Sequence, residues 1–120
     1  MKKIIFALIL CLFTTNVFCK DTDLSDGTDW KFIPYEAKVV YITAFSEAYT
    51  LTKEGHEKYP YGYSYGALID SLDDFYKSSQ NSILPIPYAL HYLIFPSLKN
   101  TWSKKQMEEE TINVIRVYKQ

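Results

Sequence analysis

Four tyrosines alternate with turn-forming or small residues in one short segment, Tyr59, Tyr61, Tyr63 and Tyr65. Tyrosine is frequent at binding surfaces, because its ring offers a large contact area, its hydroxyl a polar tip, and its few torsions little entropy to lose. The same rings can also stack on sugars. Alternatively, some of them fold inward and close one end of the domain. We therefore predict that this loop is the main partner-binding surface.

Three carboxylates, Asp70, Asp73 and Asp74, follow the tyrosines at three- and four-residue spacing, which places them on one face of a helix. Paired carboxylates perform acid–base catalysis when burial raises the pKa of one of them. The apolar residues of this helix lie on its other side, so a solvated face is expected. The stripe is interpreted as a polar surface that can steer a basic partner. A hydrolase that uses Asp73 or Asp74 is a third hypothesis, after protein binding and glycan binding.

Other residues that could support catalysis or hold a metal are sparse. His91 stands alone in an apolar helix, which is typical of a hydrogen-bonded core residue. His56 lies beside Glu54 and Glu57, but this group lacks the second imidazole and the spacing of a zinc site. The sequence therefore predicts that the protein is not an enzyme and has no catalytic residue, metal site or cofactor.

The beginning of the chain has the features of a secretory signal. Two lysines precede an apolar run over residues 4–13, and Val17 and Cys19 occupy the −3 and −1 positions for a signal peptidase. The run is shorter than the roughly 20 residues that span a bilayer. Cleavage after Cys19 is predicted, so residues 1–19 are a signal peptide and the mature chain is periplasmic or secreted, without a membrane span. A lipid-modified Cys19 is disfavoured by the bulky Phe18, and an uncleaved anchor is the remaining alternative.

Residues 20–29 are rich in aspartate and contain almost no apolar side chain. An alternating set of oxygen ligands begins at Asp21, as in a calcium loop. Such a loop needs glycine at its sixth position and glutamate at its twelfth, where this chain has Asp26 and Phe32. A flexible acidic leader is therefore predicted.

Residues 20–120 contain 11 Lys and Arg against 14 Asp and Glu, so they are weakly acidic and have no basic cluster. Nucleic-acid binding requires concentrated positive charge, so no nucleic-acid partner is expected. Both cysteines, Cys11 and Cys19, lie in the signal. A domain of this size must then be stabilised by packing alone, and it is rich in aromatic residues.

Helical periodicity predicts an all-α, small four-helix bundle-like domain over residues 30–120. The four helices are predicted at residues 34–53, 65–77, 88–95 and 104–118. Ser64 is a candidate N-cap of the second helix, and Ser103 with Gln106 forms a capping-box pattern before the last helix.

Finer details follow from the same patterns. Gly55 is predicted to end the first helix, and Pro96 to end or disrupt the third. Residues 56–64 are predicted to be a loop and residues 83–87 an extended segment. Trp30 and Phe32 are expected to pack back onto the first helix, and the residues expected to form its buried face are Ala37, Val40, Tyr41, Ala44, Phe45, Ala48 and Leu51.

Three packing motifs resemble those of small exported helical bacterial proteins of unassigned function. They are Tyr-x-x-x-Phe at residues 41–45, a Tyr-Gly turn at 65–66 leading to Phe75-Tyr76, and Asn81 followed by Ile-Pro-Tyr-Ala-Leu at 86–90. The helix order is also distantly similar to periplasmic immunity proteins that block cell-wall amidase toxins of type VI secretion. Those proteins carry structural cysteines, which residues 20–120 lack.

These observations together predict a non-catalytic exported helical binding protein whose partner is another protein. Toxin immunity is the specific form of this function that the resemblance implies. In the alternative, the tyrosine-rich loop binds glycan or peptidoglycan of the cell wall.

Overall fold

The computed structural model describes residues 26–120, and over this range the protein is all-α, as the sequence predicts. Its helices are α1 (Gly27–Trp30), α2 (Tyr35–Thr50), α3 (Lys53–Lys58), α4 (Tyr65–Phe75), α5 (Ile86–Ala89), α6 (Phe95–Asn100) and α7 (Lys104–Tyr118). The predicted signal peptide and most of the predicted leader lie outside the described residues. Within residues 26–120, no helix combines the length and apolar character needed to cross a membrane.

The last four residues of the predicted leader belong to the folded domain. The Asp26 carboxylate accepts a hydrogen bond of 2.8 Å from the Thr28 N–H and caps α1. Gly27 is buried so closely against Tyr76 that an added Cβ would lie 2.0 Å from the ring. The polar local sequence favours a flexible leader. The close packing of Gly27 against Tyr76 nevertheless holds the segment against the core, and the N-cap stabilises α1.

The core lies around the segment formed by α5, a π-helical turn (Leu90–Ile94) and α6. The apolar third helix of the sequence analysis is therefore the buried centre of the domain. Burying one large aliphatic or aromatic side chain contributes roughly 1.5–3 kcal/mol. The completely buried large side chains are Trp30, Ile42, Leu68, Ile69, Leu72, Tyr76, Leu84, Ile86, Leu90, Leu93, Ile94 and Phe95.

The first long helix ends earlier than predicted, and Gly55 is not its C-terminal residue. Helix α2 stops at Thr50, and the hydroxyl of Thr52 accepts a 2.9 Å hydrogen bond from the Gly55 N–H at the start of α3. The glycine is required for packing, because an added Cβ would lie 1.8 Å from the carbonyl oxygen of Tyr49. The first part of the predicted loop 56–64 is therefore helical.

The buried face of α2 also differs from the prediction. Ile42 and Ser46 are its buried residues, and Tyr41, Phe45 and Tyr49 are half-buried. The other five residues predicted for this face, Ala37, Val40, Ala44, Ala48 and Leu51, are exposed. Apolar residues surround α2 almost completely, so the period alone does not identify the side that faces the core.

Trp30 packs onto α2 as predicted, with its ring centroid 6.1 Å from that of Tyr41. Phe32, in contrast, is 83% exposed and does not pack back onto the helix. Of the predicted extended segment 83–87, Ile83 ends a 3₁₀ turn (Asn81–Ile83), Leu84 is extended, and α5 already starts at Ile86.

Pro96 does not end the third helix, which continues as α6 to Asn100. In the π-helical turn before it, the Phe95 N–H donates to the Leu90 carbonyl five residues earlier. A proline inside an α-helix clashes with the preceding turn and removes a hydrogen bond. The wider π turn accommodates this misfit, as single π turns in helices often do.

The helix starts predicted from local caps are confirmed. Ser64 Oγ accepts from the Ala67 N–H at 3.1 Å, and Ser103 and Gln106 form the reciprocal capping box of α7. Helix α7 has the predicted bounds. Tyr118, the last residue of this helix, is 45% exposed.

Candidate functional site

The tyrosine-rich loop lies between α3 and α4, and its first tyrosine is part of the core. Tyr59 is only 7% exposed, and its ring packs edge-on against Phe95 with centroids 5.2 Å apart. Tyr59 is therefore buried in the core, and not exposed on the loop surface as the sequence predicts. The contact joins residues 36 positions apart, so the local pattern could not reveal it.

The other three tyrosines reach the surface. Tyr61 is 57% exposed, Tyr63 41% and Tyr65 37%. The Tyr61 hydroxyl lies 2.9 Å from Nδ1 of His56, and the Tyr63 hydroxyl donates to the Leu98 carbonyl at 3.2 Å. Two of the three exposed rings are thus held by hydrogen bonds at their polar tips, which reduces the entropy that binding would cost.

These rings form one wall of a cleft of about 480 Å³. Gly62, with φ of +95°, allows the loop to turn between Tyr61 and Tyr63. The opposite wall is the C-terminal half of α2. The lining residues are Ser46, Glu47, Thr50, Tyr59, Tyr61, Gly62, Tyr63, Ser64 and Tyr65. The volume falls within the range of about 300–1,000 Å³ that is typical of ligand pockets.

The α2 wall of this cleft is polar, and the pattern of tyrosines alone does not predict it. Glu47 is exposed, and the Thr50 hydroxyl donates to the Glu47 carbonyl at 3.0 Å. The hydroxyl of Ser46 is buried and has no hydrogen-bond partner among the described residues. An unsatisfied buried hydroxyl is uncommon in native proteins and requires an explanation.

Asp73 does not contribute to a free carboxylate stripe. One of its oxygens accepts from Trp30 Nε1 at 2.8 Å and from Lys38 Nζ at 2.7 Å, and Lys38 also lies 5.0 Å from the centre of the Trp30 ring. This carboxylate therefore joins α4 to α1 and α2. Its contacts give it a structural part in the fold.

The remaining two carboxylates of the predicted stripe are exposed. Asp74 forms an ion pair with Lys77, just beyond the end of α4, and the hydrogen bond that Lys77 donates to Asp74 raises the pKa of the Lys77 ammonium. Asp70 remains solvated. The face available to steer a basic partner is thus smaller than the sequence predicts.

A polar cluster that the sequence does not reveal joins α2, α3 and the π turn. The Tyr49 hydroxyl lies 2.7 Å from Nδ1 of His91, and Nε2 of the same ring lies 3.6 Å from the Glu54 carboxylate, which pairs with Lys58. His91 is hydrogen-bonded, as predicted, but it is half-buried and not a fully buried core residue. Its partners come from distant positions in the chain. The tautomer with its proton on Nε2 directs that proton toward Glu54 and leaves Nδ1 to accept from Tyr49.

Burial lowers the pKa of His91, and the charge of Lys58 adds to this effect, while Glu54 opposes it. Burial likewise raises the pKa of the Tyr49 hydroxyl. Both shifts favour neutral side chains near pH 7. Within residues 26–120, no group of three or more His, Cys, Asp and Glu side chains is arranged to hold a metal ion.

A second, larger depression of about 730 Å³ lies between α4 and α7. Its apolar floor includes Phe75, Ile94 and Met107, and its polar rim includes Lys104 and Glu108. The rim has charges of both signs, so it shows no preference for one charge of ligand. The tyrosine cleft, with its polar wall and its exposed rings, is the better candidate site.

Comparison of the chain with protein-family models, with curated proteins and with solved structures gives no match in any of the three.

Proposed function

We propose that this protein is an exported, non-catalytic binding protein that recognises another protein through the tyrosine cleft. The observation that carries the proposal is the placement of Tyr61, Tyr63 and Tyr65 at the surface of one concave site. Rings that were all packed inside would have left no aromatic surface on this loop.

The geometry of the loop supports binding to a structured partner. Tyr61 and Tyr63 are tethered through their hydroxyls to His56 and to the Leu98 carbonyl, so their rings are held in place before a partner arrives. Preorganised aromatic side chains are effective binding anchors, because less conformational freedom is lost on association. Asp70 lies on the following helix without a salt-bridge partner among the described residues, and such an exposed charge can increase the association rate.

Immunity against a toxin is the specific form of this function. An exported inhibitor would meet its toxin in the periplasm, and the predicted signal peptide would take it there. The support is the distant similarity in helix order to immunity proteins of type VI secretion amidases.

The test compares two variants of the exported protein as baits in extracts of the producing cells. The double variant Tyr61→Ala/Tyr63→Ala is expected to lose its protein partner, whereas Tyr118→Ala, which removes an exposed ring outside the cleft, is expected to retain it. The recovered protein is quantified by mass spectrometry against wild type. Equal recovery by all three baits would remove the cleft from the proposed function.

Glycan binding is the second candidate, and the cleft itself favours it. Its aromatic wall can stack on sugar rings, and its polar wall, with the Glu47 carboxylate and the Thr50 hydroxyl, can hydrogen-bond to sugar hydroxyls. Sedimentation with purified cell wall tests this function: wild type is expected to co-sediment and Tyr61→Ala to remain in solution. Failure of wild type to co-sediment would remove the glycan candidate.

A further inference from the structure

We propose that the tyrosine cleft receives a lysine or arginine side chain of the partner protein, an inference that rests on the proposed function. Three features of the cleft favour such a side chain: its negative charge, the attraction of a cation to the face of an aromatic ring, and the hydrogen-bonding groups of the α2 wall.

The cleft has one formal charge, and it is negative. Glu47 is the one ionisable acid or base other than tyrosine among the lining residues, all of which lie within residues 26–120. It forms none of the salt bridges found in that range. Asp73, Asp74 and Glu54, in contrast, all have a basic side chain within pairing distance. Glu47 is thus an available anion beside a set of aromatic rings.

The rings add a second attraction for a cation. An ammonium or guanidinium group within about 6 Å of a tyrosine ring gains roughly 0.5–1 kcal/mol at an exposed site, and more when water is excluded. Tyr61, Tyr63 and Tyr65 surround the cleft on the side opposite α2. The apolar stem of a lysine or arginine can lie along such rings while its charged group reaches the carboxylate.

The hydroxyls of the α2 wall complete the complementarity. A guanidinium has five N–H donors and no acceptor, so it requires oxygens around it. The Thr50 hydroxyl uses its proton on the Glu47 carbonyl and keeps its oxygen lone pairs for a donor. The Ser46 hydroxyl is closed off from solvent and unsatisfied, so the accessible oxygens of this wall are those of Thr50 and Glu47.

A neutral sugar would use the same site differently. It would stack on the rings and hydrogen-bond to Glu47, but a glutamine could replace the carboxylate in those hydrogen bonds. A cationic side chain depends on the negative charge itself. Replacing Glu47 by glutamine therefore distinguishes the two classes of ligand.

The experiment titrates the isotope-labelled exported protein with Nα-acetyl-arginine methylamide and follows the ring resonances of Tyr61, Tyr63 and Tyr65 by NMR. Saturable shifts are expected, with a Kd on the order of 10 mM, because the probe is a single residue. The corresponding citrulline compound has nearly the same shape and no charge, and it should produce no saturable shift. Glu47→Gln should raise the Kd about threefold to tenfold, and the matched variant Glu36→Gln, on the same helix outside the cleft, should not.

Absence of a saturable shift, an equal response to the citrulline compound, or an unchanged Kd for Glu47→Gln would overturn the inference. Ring shifts produced instead by a neutral cell-wall disaccharide, unaffected by Glu47→Gln, would assign the cleft to glycan. Partner capture that still depends on Tyr61 and Tyr63 would leave the proposed function intact in either case. Capture that survives the loss of both rings would remove the proposed function itself.

Discussion

We expect the fold to be more stable without the hydroxyl of Ser46. It belongs to a buried residue of α2 beside the cleft and makes no hydrogen bond within the described residues. Leaving a buried polar group unsatisfied costs about 1–3 kcal/mol. Such a local cost is typical of sites where binding and stability compete.

Ser46→Ala is expected to raise the free energy of unfolding by about 1 kcal/mol, since it removes the unsatisfied group and favours the helix. Urea unfolding measures the change. The control is Ser71→Ala, where the hydroxyl donates to the Ala67 carbonyl at 2.9 Å and its removal is not expected to stabilise. A lower free energy of unfolding for Ser46→Ala would show that this hydroxyl has a partner in solution.

His91 gives the fold a dependence on pH. Its folded-state pKa lies below the ordinary value of 6.5, chiefly because the ring is partly removed from water. The unfolded chain therefore binds the proton more readily than the folded chain between the lowered pKa and 6.5. The stabilisation by the neutral His91 ring is complete above pH 6.5, and it is lost as the pH falls from 6.5 through the lowered pKa.

The unfolding midpoint of wild type in urea is expected to decrease between about pH 7 and pH 5. In His91→Gln, the part of this decrease in the unfolding midpoint that is due to protonation of His91 should disappear. His56→Gln, which removes an exposed ring, should retain the decrease of wild type. A wild-type slope that persists unchanged in His91→Gln would assign the pH dependence to other groups.

At the scale of the elements, one carboxylate connects three helices. Asp73 on α4 accepts hydrogen bonds from Trp30 of α1 and Lys38 of α2, and the Lys38 side chain is only 11% exposed. Removing this acceptor leaves a nearly buried ammonium and an indole N–H without their partner. Such groups are costly when they lose their counterpart.

Asp73→Ala is expected to lower the free energy of unfolding by about 2 kcal/mol. Asp70→Ala, three residues earlier on the same helix, removes a solvated carboxylate and should cause no loss. Thermal and urea unfolding of the two variants check the difference. Equal effects would show that the Trp30 and Lys38 contacts contribute nothing to stability.

The junction between α2 and α3 depends on the absence of a side chain at Gly55. Gly55→Ala is expected to destabilise the protein by about 2–3 kcal/mol, because the new Cβ would collide with the Tyr49 carbonyl. Gly66→Ala is the matched control, since its nearest neighbour would be the Tyr35 hydroxyl at 3.5 Å and alanine favours helix α4. Similar unfolding midpoints for the two variants would contradict the close contact at Gly55.

Local signals predicted these elements better than the faces they bury. The caps at Ser64 and Ser103 involve residues three positions away, so the sequence is sufficient to find them. The orientation of α2 depends on distant contacts. Val40 and Ile42 are both apolar and lie on different sides of this helix, and packing of α2 against α4 decides which is buried.

At the scale of the whole molecule, aromatic packing takes the place of covalent cross-links. Residues 20–120 contain no cysteine, while the chain has 11 Tyr and 7 Phe. Ring contacts at centroid distances of 4.4–6.3 Å form one continuous series through Trp30, Tyr41, Phe45, Tyr49, His91, Tyr92, Tyr88 and Tyr118. Aromatic pairs of this kind contribute about 0.5–1.5 kcal/mol beyond their buried area.

The candidate site was predictable from sequence in part. The tyrosine pattern identified Tyr61, Tyr63 and Tyr65, which the structure places together at the cleft. Tyr59 and Asp73 belong to the fold instead, because each is held by a residue more than 30 positions away. The sequence does not predict the position of Glu47 for the same reason, because its place beside the loop follows from the packing of α2.

The most direct measurement places a photo-reactive benzoylphenylalanine at position 61 of the full chain in the producing cells, with the same replacement at position 118 as the control. If the tyrosine cleft binds a partner protein, position 61 should give one discrete cross-linked product. That product should disappear when Tyr63→Ala and Glu47→Gln are added. Position 118 should give no such product. Equal products from both positions, or none from position 61, would contradict the assignment of the tyrosine cleft as the recognition surface.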